Sequence, residues 1–371
     1  MPKKNKKTET TPTEQTAELL FSLIRCGIGK QKSLPYAPTS EEWESLFQTA
    51  YKQAVTGIAY AGVEALPKEQ QPPRKILLNW FQASKAIKQK NIELNKKSIA
   101  VSQKFEQCGF RNCILKGQGI SQLYPNPQLR TPGDIDIWLK GNDKEILQFV
   151  KDRIHNPIFT YHHIEFPIAK GLDIEIHYRP SWMYNPFANK KLQQFFAQKA
   201  EEQFSHTVQT PQGMFSAPTN TFNRVYILQH IYHHFFFEGI GMKQILDYYF
   251  VTLQNITTEE KTEFRQTIKL LGITRFAAAL TYAMQHMFSL DDRHVIIPPD
   301  KRLGKFLIQE IVHAGNFGKH DPRYDFSKQE YSVSRMRNIL SRNMALICKF
   351  PNEMLWSPYF KIWHYFWKKR Q

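Results

Sequence analysis

The sequence has few cysteines, few acidic residues and no long apolar run. Its four cysteines lack the short paired spacings of a metal-binding motif. No apolar run reaches the roughly 18 residues that a transmembrane helix needs, and the first 15 residues lack the apolar core of a secretory signal. These absences exclude disulfide-rich and membrane-spanning classes, and they predict a cytoplasmic protein with reduced thiols.

The shortage of acidic residues leaves a strongly basic chain. The 371 residues include 50 lysines and arginines but only 33 aspartates and glutamates, for a formal net charge of +17. This charge favours polyanionic partners such as a nucleoside triphosphate, RNA, an anionic sugar or a membrane surface. A basic surface that serves only solubility is an equal alternative, because the sequence contains no RNA-binding motif.

Two aspartates on one predicted strand are the first candidate catalytic residues. Residues 134–139 read DIDIWL, and side chains alternate along a strand. Asp134 and Asp136 are therefore expected on one exposed face, with isoleucines buried behind them. Two neighbouring carboxylates repel each other, and a magnesium or manganese ion is their natural counter-charge.

A glycine-containing turn precedes that strand. A short apolar strand around Ile114 ends in Lys116, Gly117, Gln118 and Gly119, and a segment with helical spacing follows. Glycines let the backbone come close to a ligand, and the start of a helix favours an anion. The lysine adds a positive charge beside them. The turn is therefore a candidate phosphate-binding element.

This order of strand, glycine turn, helix and Asp-x-Asp strand resembles the nucleotidyltransferase superfamily that includes DNA polymerase beta. The segments LKG, LR and DIDIWL are similar to the bacterial family described as uncharacterised nucleotidyltransferases, although Gly-Gln stands where most of the superfamily has Gly-Ser or Gly-Gly. The resemblance implies transfer of a nucleoside monophosphate from an NTP to an acceptor hydroxyl or phosphate, with Mg²⁺ or Mn²⁺ as cofactor and pyrophosphate as product. It leaves the acceptor open among a sugar, an antibiotic, a protein and RNA.

A third carboxylate is expected on a neighbouring strand. Residues 172–179 alternate, with Asp173, Glu175 and His177 on one face, and they follow residues 161–169 across a predicted hairpin turn. In the resembled family the third acid lies two residues before a histidine. This spacing favours Glu175 and leaves Asp173 as the reserve.

The resemblance assigns a role to each candidate residue. Asp134, Asp136 and Glu175 would be catalytic and would bind the metal ions. Residues 116–119 would hold the triphosphate. Arg130, on the loop that enters the aspartate strand, would steady the phosphates or Asp134, and a purely structural salt bridge is an equal alternative.

The helical and strand patterns predict an α+β fold, in which a mixed-sheet nucleotidyltransferase core lies between helical regions. We expect a disordered basic tail over residues 1–13 and an N-terminal helical region over residues 14–107. The core is predicted over residues 108–185, and a mostly helical C-terminal domain over residues 186–371. Within the first helical region, the sequence from Thr39 predicts a capping box.

Two further features have no assigned role in this chemistry. His230, His233 and His234 fall on one face of a predicted helix at a spacing that suits zinc, but no open carboxylate or thiol partner is visible nearby. Packed histidines are therefore the favoured interpretation. The aromatic segment 355–371 is expected to pack on the body of the protein, with a membrane-surface or partner contact as the alternative.

Two other function classes remain open. A nucleotide-binding module without catalysis would keep the fold, but the complete set of three acids argues against it. A metal-dependent phosphohydrolase usually needs histidine ligands, and near the predicted core only His162, His163 and His177 are placed to serve.

Overall fold

The protein consists of many helices around a small mixed sheet, so the predicted α+β class is confirmed. A computed structural model describes residues 14–167, 173–321, 341, 344 and 346–368. The predicted basic tail and the predicted hairpin turn at Lys170 and Gly171 lie outside the described residues. The division into domains stays a prediction.

Four helices precede the sheet. They are α1 (Glu14–Gly27), α2 (Ser40–Lys52), α3 (Thr56–Ala65) and α4 (Arg74–Gln107). The predicted capping box at Thr39 is confirmed, because its side chain accepts from the N–H of Glu42 while the Glu42 carboxylate accepts from the N–H of Thr39. The apolar spacing of the sequence predicts one long helix from about Arg74 to Gln107, and α4 has those bounds; its 34 residues extend for about 50 Å.

The sheet has four short strands and carries the candidate site. In chain order the elements are β1 (Asn112–Leu115), α5 (Gly117–Ser121), β2 (Ile135–Leu139), α6 (Asp143–Lys151), β3 (His163–Glu165) and β4 (Ile174–His177). The spatial order is β1-β2-β4-β3. Strands β2 and β4 are parallel, whereas β1 pairs with β2 and β3 pairs with β4 in the antiparallel sense. The predicted antiparallel pairing of the last two strands is therefore confirmed.

The rest of the chain is mostly helical, with one hairpin. The elements are α7 (Pro186–Ser205), β5 (Thr207–Thr210), β6 (Gly213–Ser216), α8 (Asn220–Phe237), α9 (Met242–Thr252), α10 (Thr258–Leu270), α11 (Thr274–Phe288), α12 (Lys301–Ala314) and α13 (Pro351–Lys368). Helix α13 packs on the body through aromatic rings, since Phe360 stacks on Trp182 with 4.0 Å between ring centroids. Within the described ranges, no helix has the length and apolar character that crossing a membrane requires.

The two faces of the sheet belong to two hydrophobic cores. One face carries the isoleucines of β2 and β4, which share a core with residues of α4 and α6 such as Phe105 and Ile146. The opposite face joins the larger helical core, where the Trp138 ring lies 4.6 Å from that of Phe204 and 5.9 Å from that of Phe222. Asp136 has the same strand parity as Trp138, so the acid-bearing face of the sheet lies under helices α7 and α8.

Candidate active site

The structure brings the three predicted acids together. Parallel pairing of β2 and β4 places Asp136 directly opposite Glu175, and Asp134 lies just before β2. One carboxylate oxygen from each of the three residues lies within 4.8 Å of the other two. A set of three hard oxygen donors suits a magnesium or manganese ion, so the residues present fit the cofactor that the sequence predicts.

The expected exposure is wrong for Asp136. Asp134 is exposed and Glu175 is 27% exposed, but Asp136 is only 2% exposed. The reason is that helices cover this face of the sheet, which strand alternation alone does not reveal. The buried carboxylate has two close partners: the Lys116 Nζ atom lies 2.8 Å from Asp136 Oδ1, and His177 Nε2 donates to the same oxygen at 2.9 Å.

These contacts set the charges of the site. Burial disfavours the Lys116 ammonium, but the negative charges around it, with that of Asp136 the largest, together outweigh burial and raise the pKa of Lys116 above its ordinary range. For His177, burial is likewise outweighed by hydrogen bonds to Asp136 and Glu175, which raise its pKa. Burial raises the pKa of Glu175, yet the hydrogen bond from His177 and the charges of His163 and Lys116 lower it to about 2. The ammonium therefore supplies the counter-charge, and a metal ion that binds the same oxygen must displace it.

The predicted phosphate turn has an unusual backbone. Lys116 has φ +49° and Gly117 has φ +27°, so two successive residues adopt positive φ between β1 and α5. This conformation is strained for the lysine and suits the glycine. A Cβ atom added to Gly117 would lie 3.7 Å from the carbonyl oxygen of Asp134. The turn is therefore adjacent to the first candidate metal ligand.

The other two residues of the turn contact the protein interior. The Gln118 side chain is buried, and its Nε2 atom donates to Asn95 Oδ1 of α4 at 2.5 Å. A Cβ atom added to Gly119 would lie 3.0 Å from the Cβ of Ala217, so this glycine permits close packing. Only the backbone N–H group of Gln118 is left to serve a phosphate, because its amide side chain is engaged.

Arg130 forms a buried ion pair with Asp247 and not with the three candidate acids. Its Nε and Nη2 atoms donate to the two carboxylate oxygens of Asp247 at 2.7 and 2.8 Å, and the Tyr124 hydroxyl donates to Asp247 Oδ1 at 2.6 Å. The sequence leaves open whether Arg130 steadies the phosphates or Asp134, or forms a structural salt bridge. This geometry is that of the structural salt bridge. It fastens the loop before Asp134 to helix α9 across 117 residues of chain.

Lys243, at the start of α9, is a site residue that the sequence analysis did not select. A Cβ atom added to Gly133 would lie 3.6 Å from its Nζ atom, which places the ammonium beside the residue that precedes Asp134. The side chain is 8% exposed, and burial together with the charge of Arg130 lowers its pKa to about 8. The only sequence signal was its spacing to Asp247, which is instead bound by Arg130.

Histidines separate into two groups. His163 lies at the acid cluster, with its Nδ1 atom 3.6 Å from Glu175 Oε2. Two of the histidines at zinc spacing on α8 make other contacts. The His233 ring packs 4.6 Å from that of Trp182, and His234 Nδ1 binds the Glu238 carboxylate at 2.6 Å. Burial lowers the pKa of His233 to about 3, so it is a neutral packed residue.

The mixed sheet and its cluster of three carboxylates describe a candidate metal-dependent transferase. The chain belongs to the uncharacterised nucleotidyltransferase family, whose model matches residues 39–289. The matched span begins just before α2 and ends just after α11, so it contains all the candidate site residues. A search of curated proteins finds no match to the chain.

Proposed function

We propose that this protein transfers a nucleoside monophosphate from an NTP to an acceptor hydroxyl or phosphate and releases pyrophosphate. The observation that carries the proposal is the convergence of Asp134, Asp136 and Glu175 within 4.8 Å, in a chain of a nucleotidyltransferase family. The acceptor, whether a sugar, an antibiotic, a protein or RNA, is left open. The strongly basic chain is consistent with a polyanionic substrate.

The three carboxylates would hold Mg²⁺ or Mn²⁺ in this proposal. When bound, such ions neutralise charge on the attacking and leaving oxygens of an in-line displacement. Glu175, with its pKa near 2, is ionised at neutral pH and is ready to act as a ligand. The same low pKa makes it a poor general base, because an efficient base has a pKa near the working pH. We therefore assign Glu175 to metal binding and not to proton removal.

Two lysines would contact the phosphates. Without a bound metal ion, the ammonium of Lys116, which is the first residue of the glycine turn, neutralises Asp136. A metal ion at Asp136 would release this ammonium next to the triphosphate. The Nζ atom of Lys243 lies beside Gly133, and no carboxylate of the described residues lies within 4.0 Å of it. Both positions suit a point charge that binds a phosphate oxygen.

The same contacts also support two other functions. The ion pair between Lys116 and Asp136 favours a nucleotide-binding module without catalysis, since an ammonium stands where a metal ion would bind. The histidines beside Glu175 favour a phosphohydrolase, which would use them as ligands. The products formed from the NTP distinguish all three functions.

The test is to incubate the protein with NTPs labelled at the γ-phosphate, with Mg²⁺ or Mn²⁺ and with EDTA as the control. We expect metal-dependent release of pyrophosphate, with water as a slow acceptor. Free phosphate without pyrophosphate would indicate a hydrolase. Binding of the NTP with neither product, across a panel of sugar, antibiotic, protein and RNA acceptors, would indicate a binding module.

A further inference from the structure

A second group of potential ligands lies at the edge of the acid cluster. The His163 Nδ1 atom is 3.6 Å from Glu175 Oε2, and the His177 Nε2 atom is 3.4 Å from the same oxygen. One ligand atom from each residue lies within 4.8 Å of the other two. Donors about 2.0–2.2 Å from a tetrahedral ion lie roughly 3.3–3.5 Å from one another, so the two distances to Glu175 are close to those of a bound ion.

The strands hold these residues in register. Antiparallel pairing places His163 of β3 directly opposite His177 of β4, and Glu175 lies two residues earlier on the same face of β4. His177 is 1% exposed and His163 is 14% exposed. The three donors therefore come from two adjacent, hydrogen-bonded strands, and a site on rigid elements needs little rearrangement to bind an ion.

The imidazole of His177 has an outer partner of the kind found at metal sites. His177 Nδ1 lies 3.3 Å from the carbonyl oxygen of Arg179, which leaves Nε2 as the atom for a metal. The Nδ1 atom of His163 contacts His162 Nε2 at 3.0 Å and gives up that contact when it binds an ion, while His162 Nδ1 contacts the Thr160 hydroxyl at 3.2 Å.

We propose that His163, Glu175 and His177 form a binding site for a divalent first-row transition metal ion in the protein without nucleotide. Two imidazole nitrogens and one carboxylate suit zinc, iron, cobalt or nickel, whereas magnesium prefers oxygen ligands alone. The inference goes beyond the proposed function, because the site differs from the acid cluster in ligands and in preferred ion.

Access to Asp136 separates the two sites. An ion at the acid cluster takes as a ligand Asp136, whose Oδ1 atom already contacts the Lys116 ammonium, whereas an ion at the histidine site leaves that pair intact. At the histidine site, an ion replaces the Nε2 proton that His177 donates to Asp136 and the contact of His163 Nδ1 with His162. We therefore expect a transition metal ion to bind before any nucleotide does. Glu175 belongs to both groups, so the carboxylate either bridges two ions or serves one at a time.

The test is a titration of the full chain with Co²⁺, without nucleotide, followed by the visible absorption of the ion. Wild type should give saturable bands with one ion per chain, and their intensity should indicate fewer than six ligands. His163→Ala should weaken Co²⁺ binding at least about tenfold, as loss of even an outer partner does at metal sites. His163→Asn serves as a second variant, and thermal melting confirms that each variant is folded.

Two control variants make the assignment specific. His286→Ala removes a histidine of α11 that also contacts a glutamate, since His286 Nε2 lies 2.7 Å from Glu18 Oε1 of α1. This substitution should leave Co²⁺ affinity unchanged. Asp134→Asn removes an acid that belongs only to the other group, and it should also leave Co²⁺ affinity unchanged. Equal affinity in wild type and both His163 variants, or loss of binding in Asp134→Asn, would overturn the site.

The outcome is independent of nucleotidyl transfer. Pyrophosphate release with Mg²⁺ in a protein without saturable Co²⁺ binding would overturn this inference and leave the proposed function intact. Saturable Co²⁺ binding that depends on His163, in a protein that releases no pyrophosphate, would overturn the proposed function alone.

Discussion

Asp136 is a buried carboxylate whose charge is balanced by the protein itself. From strand alternation alone, we predict that Asp136→Asn leaves stability unchanged or slightly higher, because it removes repulsion between exposed acids. The burial of Asp136 and its contact with Lys116 support the opposite expectation. The substitution would leave the Lys116 ammonium, which is 17% exposed, without its carboxylate partner.

We therefore expect Asp136→Asn to lower the free energy of unfolding by about 3 kcal/mol, as for other broken buried ion pairs. Adding Lys116→Met should restore most of that loss, because the second change removes the unpaired charge. Chemical denaturation of the two single variants and the double variant, without metal, measures both effects. Equal stability of wild type and Asp136→Asn would mean that the ion pair does not hold the free site together.

Lys243 allows binding to be separated from stability. Its pKa of about 8 lies below the ordinary 10.5, so the folded protein binds fewer protons than the unfolded chain between these two values. Stability from this group therefore rises with pH through that window, and the full cost of the buried charge is present below pH 8. Lys243→Met should raise the melting temperature at pH 7.

The same variant should bind NTP about tenfold more weakly, because it loses a charge-assisted hydrogen bond to phosphate. Lys90→Met, at an exposed position of α4, is the matched control and should change neither property. Isothermal titration with a non-hydrolysable NTP and Mg²⁺ measures the affinity. A stabilised Lys243→Met that binds NTP as tightly as wild type would show that the triphosphate lies elsewhere.

Among the helices and strands, features that depend on neighbouring residues can be predicted from the sequence, whereas the burial of one element by another that is distant in the chain cannot. The capping box of α2, the bounds of α4 and the alternation of β2 each depend on residues close together in the chain. The burial of Asp136 depends on the packing of α8 over β2, where Phe222 meets Trp138 across 84 positions of sequence. No local pattern reports such a contact.

The candidate site shows the same division. The positions of the three acids follow from strand parity and from the resemblance, so the sequence locates them. The partner of Arg130 is Asp247, 117 residues away, although Lys243 lies only four residues before that aspartate in the sequence. The side chain of Gln118 likewise bonds to α4, where Asn95 is 23 residues earlier in the chain. Partners chosen by tertiary packing were therefore missed.

Helix α13 is attached to the body by a buried acid. Glu353 is 1% exposed and accepts a hydrogen bond from the backbone N–H of Tyr184. Burial raises its pKa from 4.5 to about 7, although the hydrogen bonds from Tyr184 and Asn185 oppose the shift. The folded state therefore takes up a proton between pH 4.5 and 7, and stability falls as the pH rises through that window.

Glu353→Gln keeps an acceptor for the Tyr184 N–H and removes the buried charge. We expect it to raise the free energy of unfolding by up to about 3 kcal/mol at pH 8 and to have little effect near pH 4.5. Denaturation curves of wild type and variant at the two pH values provide the measurement. A difference that does not change with pH would contradict the assignment of the shift to Glu353.

At the scale of the whole molecule, the sheet and the helical body form one site. The sheet supplies the three acids and Lys116, whereas Lys243 comes from α9 and the cover over Asp136 comes from α8. The larger hydrophobic core includes sheet residues such as Cys113 and Trp138. It also includes residues of helices that precede the sheet in the chain and of helices that follow it. A catalytic role for the acids therefore requires the helical regions as well as the sheet.

We propose that Glu175, and not its neighbour Asp173, completes the metal-binding acids. Both lie on the same side of the β4 segment, but Asp173 is exposed and only Glu175 belongs to the cluster with Asp134 and Asp136. The most direct measurement compares metal-dependent pyrophosphate release by Glu175→Gln and Asp173→Asn. We predict a loss of at least about a hundredfold for Glu175→Gln, the scale of removing one transition-state charge contact, and near wild-type rates for Asp173→Asn. If Asp173→Asn proves as damaging as Glu175→Gln, or if Glu175→Gln keeps its activity, the assignment of the site is wrong.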